Sequence, residues 1–332
     1  MSFLTKPADT LASVNLKSIN HLPISKPTFS YFLYPKTPIN VIVTIPRCTL
    51  STHAFLSPDS AVFQDVGATA FVLGGGYALV STFDHLTNRN IISKNSELVS
   101  FISTQFVFAG AKIDAFMEYE DNFFVIRNLS RKLVHIISGL LFVASWPLFS
   151  TSIQARYFAS VAPLTNCLRL VVHGLSLATD DSLIKSVTRE GKPEELLRGP
   201  LYYVLILALC AIVFWRDSPI GLLSVAMMSG GDGVADIIGR KFGTLKIPYN
   251  PKKSWAGSIS MFSFGFLVSI GMLYYFSTLG YFQLDWSITA KRVAIVSFIA
   301  TLVESLPIAE LIDDNISVPL MTLATACILF SL

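Results

Sequence analysis

The sequence predicts an all-α polytopic membrane protein of about seven to eight transmembrane helices, with its site at one membrane face. Composition is the first reason: hydrophobic residues make up 52% of 332 residues and charged residues only 14%, whereas soluble globular chains usually carry about 25% charge. Mean hydropathy is correspondingly high, at +0.58. The third reason is recurrence, since runs approaching the roughly 20 apolar residues that cross a hydrocarbon core repeat along the chain. They are 66–83, 133–149, 157–178, 199–215, 218–238, 255–280, 293–309 and 316–332. Such apolar content excludes global disorder. A net charge of +3 is too small and too sparse for a nucleic-acid partner. Cys48, Cys167, Cys210 and Cys327 lie far apart without a CxxC, so neither a disulfide framework nor a zinc site is indicated.

Residues 1–60 differ from the rest. Asp9 and Asp59 are their only acids, against Lys6, Lys17, Lys26, Lys36 and Arg47 among many Ser, Thr and Pro residues. This basic, hydroxyl-rich, acid-poor composition reads as an organelle transit peptide, and the low Arg count favours a plastid. Residues 61–130 hold the first span and a following stretch, and 131–332 form a multi-span domain. Several runs are nearer 17 residues than 20, but their aromatic or basic flanks suit the interface. Pro147 and Pro163 are tolerated where neighbouring helices satisfy freed backbone groups. The run 98–111 is short and reads as interfacial or packed against the bundle.

Alternation of spans then assigns sides. If 133–149 starts on one face, the segments 179–198, 239–254 and 310–315 all return to it. That face carries eleven basic residues and the opposite face four. The bias fits one orientation and leaves a basic surface that attracts phosphates.

The densest chemistry lies in SGGDGVADIIGRKFGTLKIPYNPKKSWAG, residues 229–257. Asp232 and Asp236 are four apart, so a helix projects both carboxylates from one side. Two such acids on an apolar helix are costly to bury without a partner. A magnesium ion, which binds through one or two carboxylates plus substrate phosphates, is the natural metal for Asp232 and Asp236. Acids that pair with Arg240 and Lys241 at a helix end are the structural alternative. Gly231 and Gly233 allow close backbone approach by a ligand, and Arg240, Lys246, Lys252 and Lys253 supply cations for a polyphosphate. On the same face, Arg131 and His135 at i, i+4 are either a phosphate contact or an interfacial anchor. Glu304 is an acid inside an apolar span, a functional candidate by position. Asp313, Asp314 and Asn315 follow just beyond it.

These motifs resemble the CTP-dependent prenyl alcohol kinases of plant plastids, the farnesol and phytol kinases. The likeness rests on RKLVHIISG (131–139), EELLRGPLYYVL (194–205), SGGDGVADIIGRKFG (229–243), IPYNPKKSWAGS (247–258) and VESLPIAELIDDNISVPL (303–320). It covers roughly 131–332, is weaker at 66–90, and leans toward farnesol kinase. About 35 residues, near 92–128, depart from the family's pattern. The resemblance implies transfer of a phosphate from CTP, with magnesium, to an isoprenoid alcohol in a plastid membrane. Asp232 and Asp236 would hold the metal, Arg240, Lys246, Lys252 and Lys253 would clamp the nucleotide, and Asp314 or Glu304 would orient or deprotonate the prenol hydroxyl. A cytidylyltransferase acting on a lipid phosphate and a membrane transporter are the alternatives. The absence of an internal repeat weighs against the transporter.

Overall fold

The computed structural model describes residues 58–88, 122–178, 180, 183–184, 187–188, 191–307 and 312–331. Most of the expected transit peptide, the 98–111 run and the greater part of the 92–128 stretch lie outside the described residues. Helices form at α1 (Pro58–Asn88), α2 (Asn122–Ala144), α3 (Ala155–Gly174) and α4 (Gly199–Val213). A central helix follows, built from α5 (Pro219–Val225), a π-helical stretch (Ala226–Asp232) and α6 (Gly233–Phe242). Beyond it come a short antiparallel hairpin, β1 (Lys246–Ile247) with β2 (Asn250–Ser254), then α7 (Trp255–Thr278), α8 (Trp286–Ser305) and α9 (Asp314–Ser331).

Every predicted run is a helix, and the class is all-α and polytopic. Among the described residues, six helices are long and apolar enough to cross a membrane by length and composition: Asp59–Phe83, Pro193–Val213, Pro219–Phe242, Trp255–Thr278, Trp286–Ser305 and Asp314–Ser331. This is fewer than the expected seven to eight. The runs 133–149 and 157–178 fold as α2 and α3, but their helices reach back over Arg131 and Lys132 in one and Arg156 in the other. Those charges, with Asn166, Arg169 and His173 inside α3, dilute the apolar character of the two helices.

The central helix is the most buried element; every residue from Ala226 to Asp232 is buried. Glycine makes this possible. A Cβ on Gly231 would sit 3.4 Å from Gly265 Cα of α7, and one on Gly230 would press within 3.0 Å of Val268. The same device recurs lower down, where Gly239 of α6 meets Gly257 of α7 at a Cβ-to-Cα separation of 3.4 Å. Gly231 and Gly233 were expected to admit a ligand. Instead Gly231 packs against α7, and a side chain at Gly233 would overlap Ile136 of α2.

At the end of the bundle away from the charged motifs, Trp146 is fully buried and stacks on Trp215 at 5.0 Å between ring centroids. Arg216 is buried there as well and donates to the carbonyls of Trp146 and Phe149 at 2.9 and 2.8 Å. Its hydrogen bonds satisfy a cation that would otherwise be costly to bury. Asp65 of α1 accepts from the Ser150 backbone N–H at 2.6 Å and from its hydroxyl at 2.9 Å. The N-terminal part of α1 is thereby fixed at the far end of α2.

Candidate active site

At the other end, four separate segments converge. Asp232 leaves the π-helical stretch, Glu304 is the penultimate residue of α8, Asp314 opens α9, and Lys253 projects from β2. The carboxylate oxygens of Asp232, Glu304 and Asp314 lie within 4.8 Å of one another. Asp232 and Glu304 are each only 4% exposed. π-bulges mark functional positions in many helices, and this one turns a buried carboxylate toward the two others.

The hairpin places the central cation. Tyr249 shares a hydrogen bond with the Ser305 hydroxyl at 2.9 Å, and the Asn250 amide donates to the Ser305 carbonyl at 3.0 Å. Ser254 ends the hairpin and caps α7, its hydroxyl accepting from Gly257 N–H at 3.2 Å. Lys253, held between these anchors, pairs with Glu304 and donates to Asp314 at 2.8 Å. Burial disfavours its charge, but the Glu304 and Asp314 carboxylates more than offset this and hold its pKa above the ordinary lysine value. Lys253 is therefore a cation throughout the neutral range.

Asp236 has different company. Lys132 of α2 lies 3.2 Å from Asp232 and 3.9 Å from Asp236, and Arg240 donates to Asp236 at 3.0 Å. The expected pairing of Asp236 with Arg240 at the helix end is thus present. The carboxylate oxygens that come together are those of Asp232, Glu304 and Asp314, while Asp236 lies apart from this group, against Lys132 and Arg240. The reason is reach: Asp232 sits at the π-helical turn facing α8 and α9, while Asp236 lies one turn further along α6 against two basic side chains. Lys132 is the residue that sequence reasoning missed as a site member. The available signal was the buried row Lys132, Gly139 and Val143 on α2, of which Lys132 is the charged end.

A donor set of three acidic side chains suits a hard divalent cation. One further observation supports the fit: Glu304 Oε2 is buried without a hydrogen-bond partner among the described residues. A buried acceptor left unmet is costly, and a bound cation or hydroxyl at this place removes the cost.

A single cavity of about 1420 Å³ connects this cluster to apolar surfaces. Arg131, Lys132, Arg240, Lys246, Lys252 and Lys253 line one part of it. Phe71 and Val72 of α1, Leu141 and Phe142 of α2, and Pro163 of α3 line another. His135 borders the cavity too, but its Nε2–H donates to the Met228 carbonyl at 3.2 Å, and its ring lies 4.0 Å from that of Tyr203. Through this contact it braces the π-helical stretch from α2. Gly231 and Gly233 do not border the cavity. Gly199, at the start of α4, approaches Asn315 and Asp313, so a Cβ there would lie 3.1 and 3.4 Å from their side chains. The 193–199 segment therefore reaches the same end of the bundle, as alternation required.

Comparison with known proteins adds close relatives. Probable phytol kinase 1, chloroplastic, from Glycine max is 61% identical over 269 residues, covering 81% of this chain and 78% of that protein. Phytol kinase 1, chloroplastic, from Arabidopsis thaliana is 56% identical over 271 residues, covering 82% and 78%. Probable phytol kinase, chloroplastic, from Zea mays is 52% identical over 271 residues, with the same coverage. No family model matches the chain, and no solved structure matches it. The sequence resemblance leaned toward farnesol kinase; these relatives carry the phytol kinase name instead.

Proposed function

Because this chain belongs to the chloroplast phytol kinase family, we propose that its carboxylate cluster transfers the γ-phosphate of CTP to the hydroxyl of phytol. At the coarser level it is a multi-pass membrane phosphotransferase of the chloroplast with an isoprenoid alcohol as acceptor. The observation that carries the finer reading is the cavity. One continuous space joins a basic, carboxylate-bearing region to apolar helix surfaces, which is what a reaction between a polyanionic nucleotide and a lipid alcohol requires.

Magnesium commonly binds one or two carboxylates plus substrate phosphates, so three acids leave one over. On this reading Asp232 and Asp314 would hold the ion, which would supply positive charge to offset that developing on the transferred phosphoryl group. Glu304 Oε2, the acceptor without a partner, receives the hydrogen bond of the prenol hydroxyl and orients its lone pair in line with the γ-phosphorus. Lys253 keeps Glu304 and Asp314 in register while presenting positive charge to the nucleotide. Arg240, Lys246, Lys252 and Arg131 surround the triphosphate. Asp236 acts indirectly, holding Arg240 and Lys132 in place. None of the three relatives carries a cytidylyltransferase or transporter name, and nothing else favours those readings.

The test uses membranes carrying the full chain, supplied with magnesium, phytol and CTP labelled at either the γ- or the α-phosphate. Label from γ-CTP is expected in phytyl monophosphate, and none from α-CTP. Lipid labelled from the α-position would mean CMP transfer, and would overturn the kinase assignment for this site.

A further inference from the structure

The middle of α1 reads Gly74-Gly75-Gly76. Each glycine in a helix interior costs roughly 0.5–1 kcal/mol relative to alanine, and in membrane helices close packing of a neighbouring helix is the usual compensation. Gly231 and Gly265 show that compensation in this protein. The α1 glycines do not: a Cβ built on any of the three meets no heavy atom within 4 Å among the described residues. What lies beside Gly75 and Gly76 is the cavity itself.

Their positions along α1 give that space a shape. Phe71, Gly75 and Leu79 form one i, i+4 row, and Val72, Gly76 and Val80 form the adjacent one. All six border the cavity. The two glycines therefore cut a notch one turn deep into an otherwise bulky apolar wall. The hydrogen bonds between Asp65 and Ser150 set α1 level with the far end of α2, and from Asp65 to Gly75 the helix climbs about 15 Å toward the charged end. The notch thus lies between the carboxylates and the end of the bundle where Asp65 meets Ser150. The same cavity is bordered at its charged end by Glu304, 4% exposed, with Oε2 buried and unmet. Gly75 and Gly76 are exposed on the cavity side of α1, so an amphiphile with its hydroxyl at Glu304 and its apolar tail directed away from the lysines has room to lie across the notch.

We propose that Gly75 and Gly76 are specificity-determining residues that seat the methyl-branched tail of the isoprenoid alcohol and admit long prenols to the site. This inference rests on the isoprenoid alcohol kinase reading above. A side chain at either position fills the passage without touching protein, so it obstructs a tail that crosses the notch and spares one that stops short of it. Discrimination of this kind is worth about 10–200-fold per filled or vacated methylene-sized space.

The experiment compares kcat/KM for phytol and for geraniol, a short prenol, in membranes carrying the full chain. Gly76→Leu and Gly76→Ala are the test variants. Gly67→Leu is the control, because Gly67 is also on α1 with open space around it but does not border the cavity. The phytol-to-geraniol ratio is expected to fall at least about tenfold in Gly76→Leu, to fall less in Gly76→Ala, and to stay at the wild-type value in Gly67→Leu. Equal losses for both alcohols in Gly76→Leu, or an unchanged ratio with turnover retained, would overturn the inference. A wild-type chain that phosphorylates neither alcohol would instead overturn the kinase reading itself, an outcome visible before any variant is compared.

Discussion

Asp232→Asn is expected to lower phosphoryl transfer on the order of 10³-fold or more, the scale on which preorganised charged groups act in excluded sites. The carboxylate is 4% exposed and belongs to the triad whose oxygens lie within 4.8 Å of one another. Asn keeps the volume and removes the charge proposed to bind the cation. Breaking a buried ion pair by deleting one partner commonly costs about 3–5 kcal/mol. Here Lys132 retains Asp236 at 3.9 Å, so the fold should persist and the loss should appear in turnover rather than in protein level. Activity per unit of membrane-inserted protein checks this; a variant within about tenfold of wild type would remove Asp232 from the reaction centre.

The second large effect concerns Glu304→Gln. The substitution preserves shape in a buried position, and Lys253 keeps its 2.8 Å contact with Asp314, so the cation at the centre stays anchored. What is lost is the unpartnered acceptor proposed to align the alcohol. General acid–base and orienting groups typically contribute about 10²–10⁴-fold, and the loss is expected in kcat with little change in the KM for CTP. Steady-state kinetics with both substrates varied separates the cases. A raised KM for CTP at unchanged kcat would move Glu304 from the alcohol to the nucleotide.

Much of this architecture was legible in the sequence because a hydrocarbon core forces helix length and alternation. Once the runs were placed, the segments around Lys132, Gly199, Lys253 and Asp314 had to emerge at one end, and they do. Local phase was harder to read. Arg131 and Lys132 are adjacent and chemically similar, and which of them turns inward depends on the rotation of α2, fixed by Gly139, Val143 and Trp146 packing beneath. The π-helical stretch was not legible either, because it arises from glycines closing onto α7, and a regular helix would aim Asp232 elsewhere. The DxxxD spacing did not convey what faces each acid across the bundle: Glu304 and Asp314 beside Asp232, Lys132 and Arg240 beside Asp236. The hairpin at 246–254 was not read from the sequence, because its anchors on Ser305 lie some fifty residues away in the chain. The glycines of 229–257 carried a true signal of close approach, but the approaching partner at Gly231 and Gly233 is another helix.

Which acids hold the cation decides how this site works, and the magnesium dependence of phosphoryl transfer measures that most directly. Asp232→Asn, Asp314→Asn and Asp236→Asn should be titrated with magnesium beside the wild type, at saturating CTP and phytol. The account predicts that residual activity in the first two needs at least about tenfold more magnesium, as when a ligand is lost. Asp236→Asn should keep the wild-type requirement while weakening CTP binding through Lys132 and Arg240. A shifted requirement in Asp236→Asn with none in Asp314→Asn would contradict it and return the metal to the Asp232–Asp236 pair.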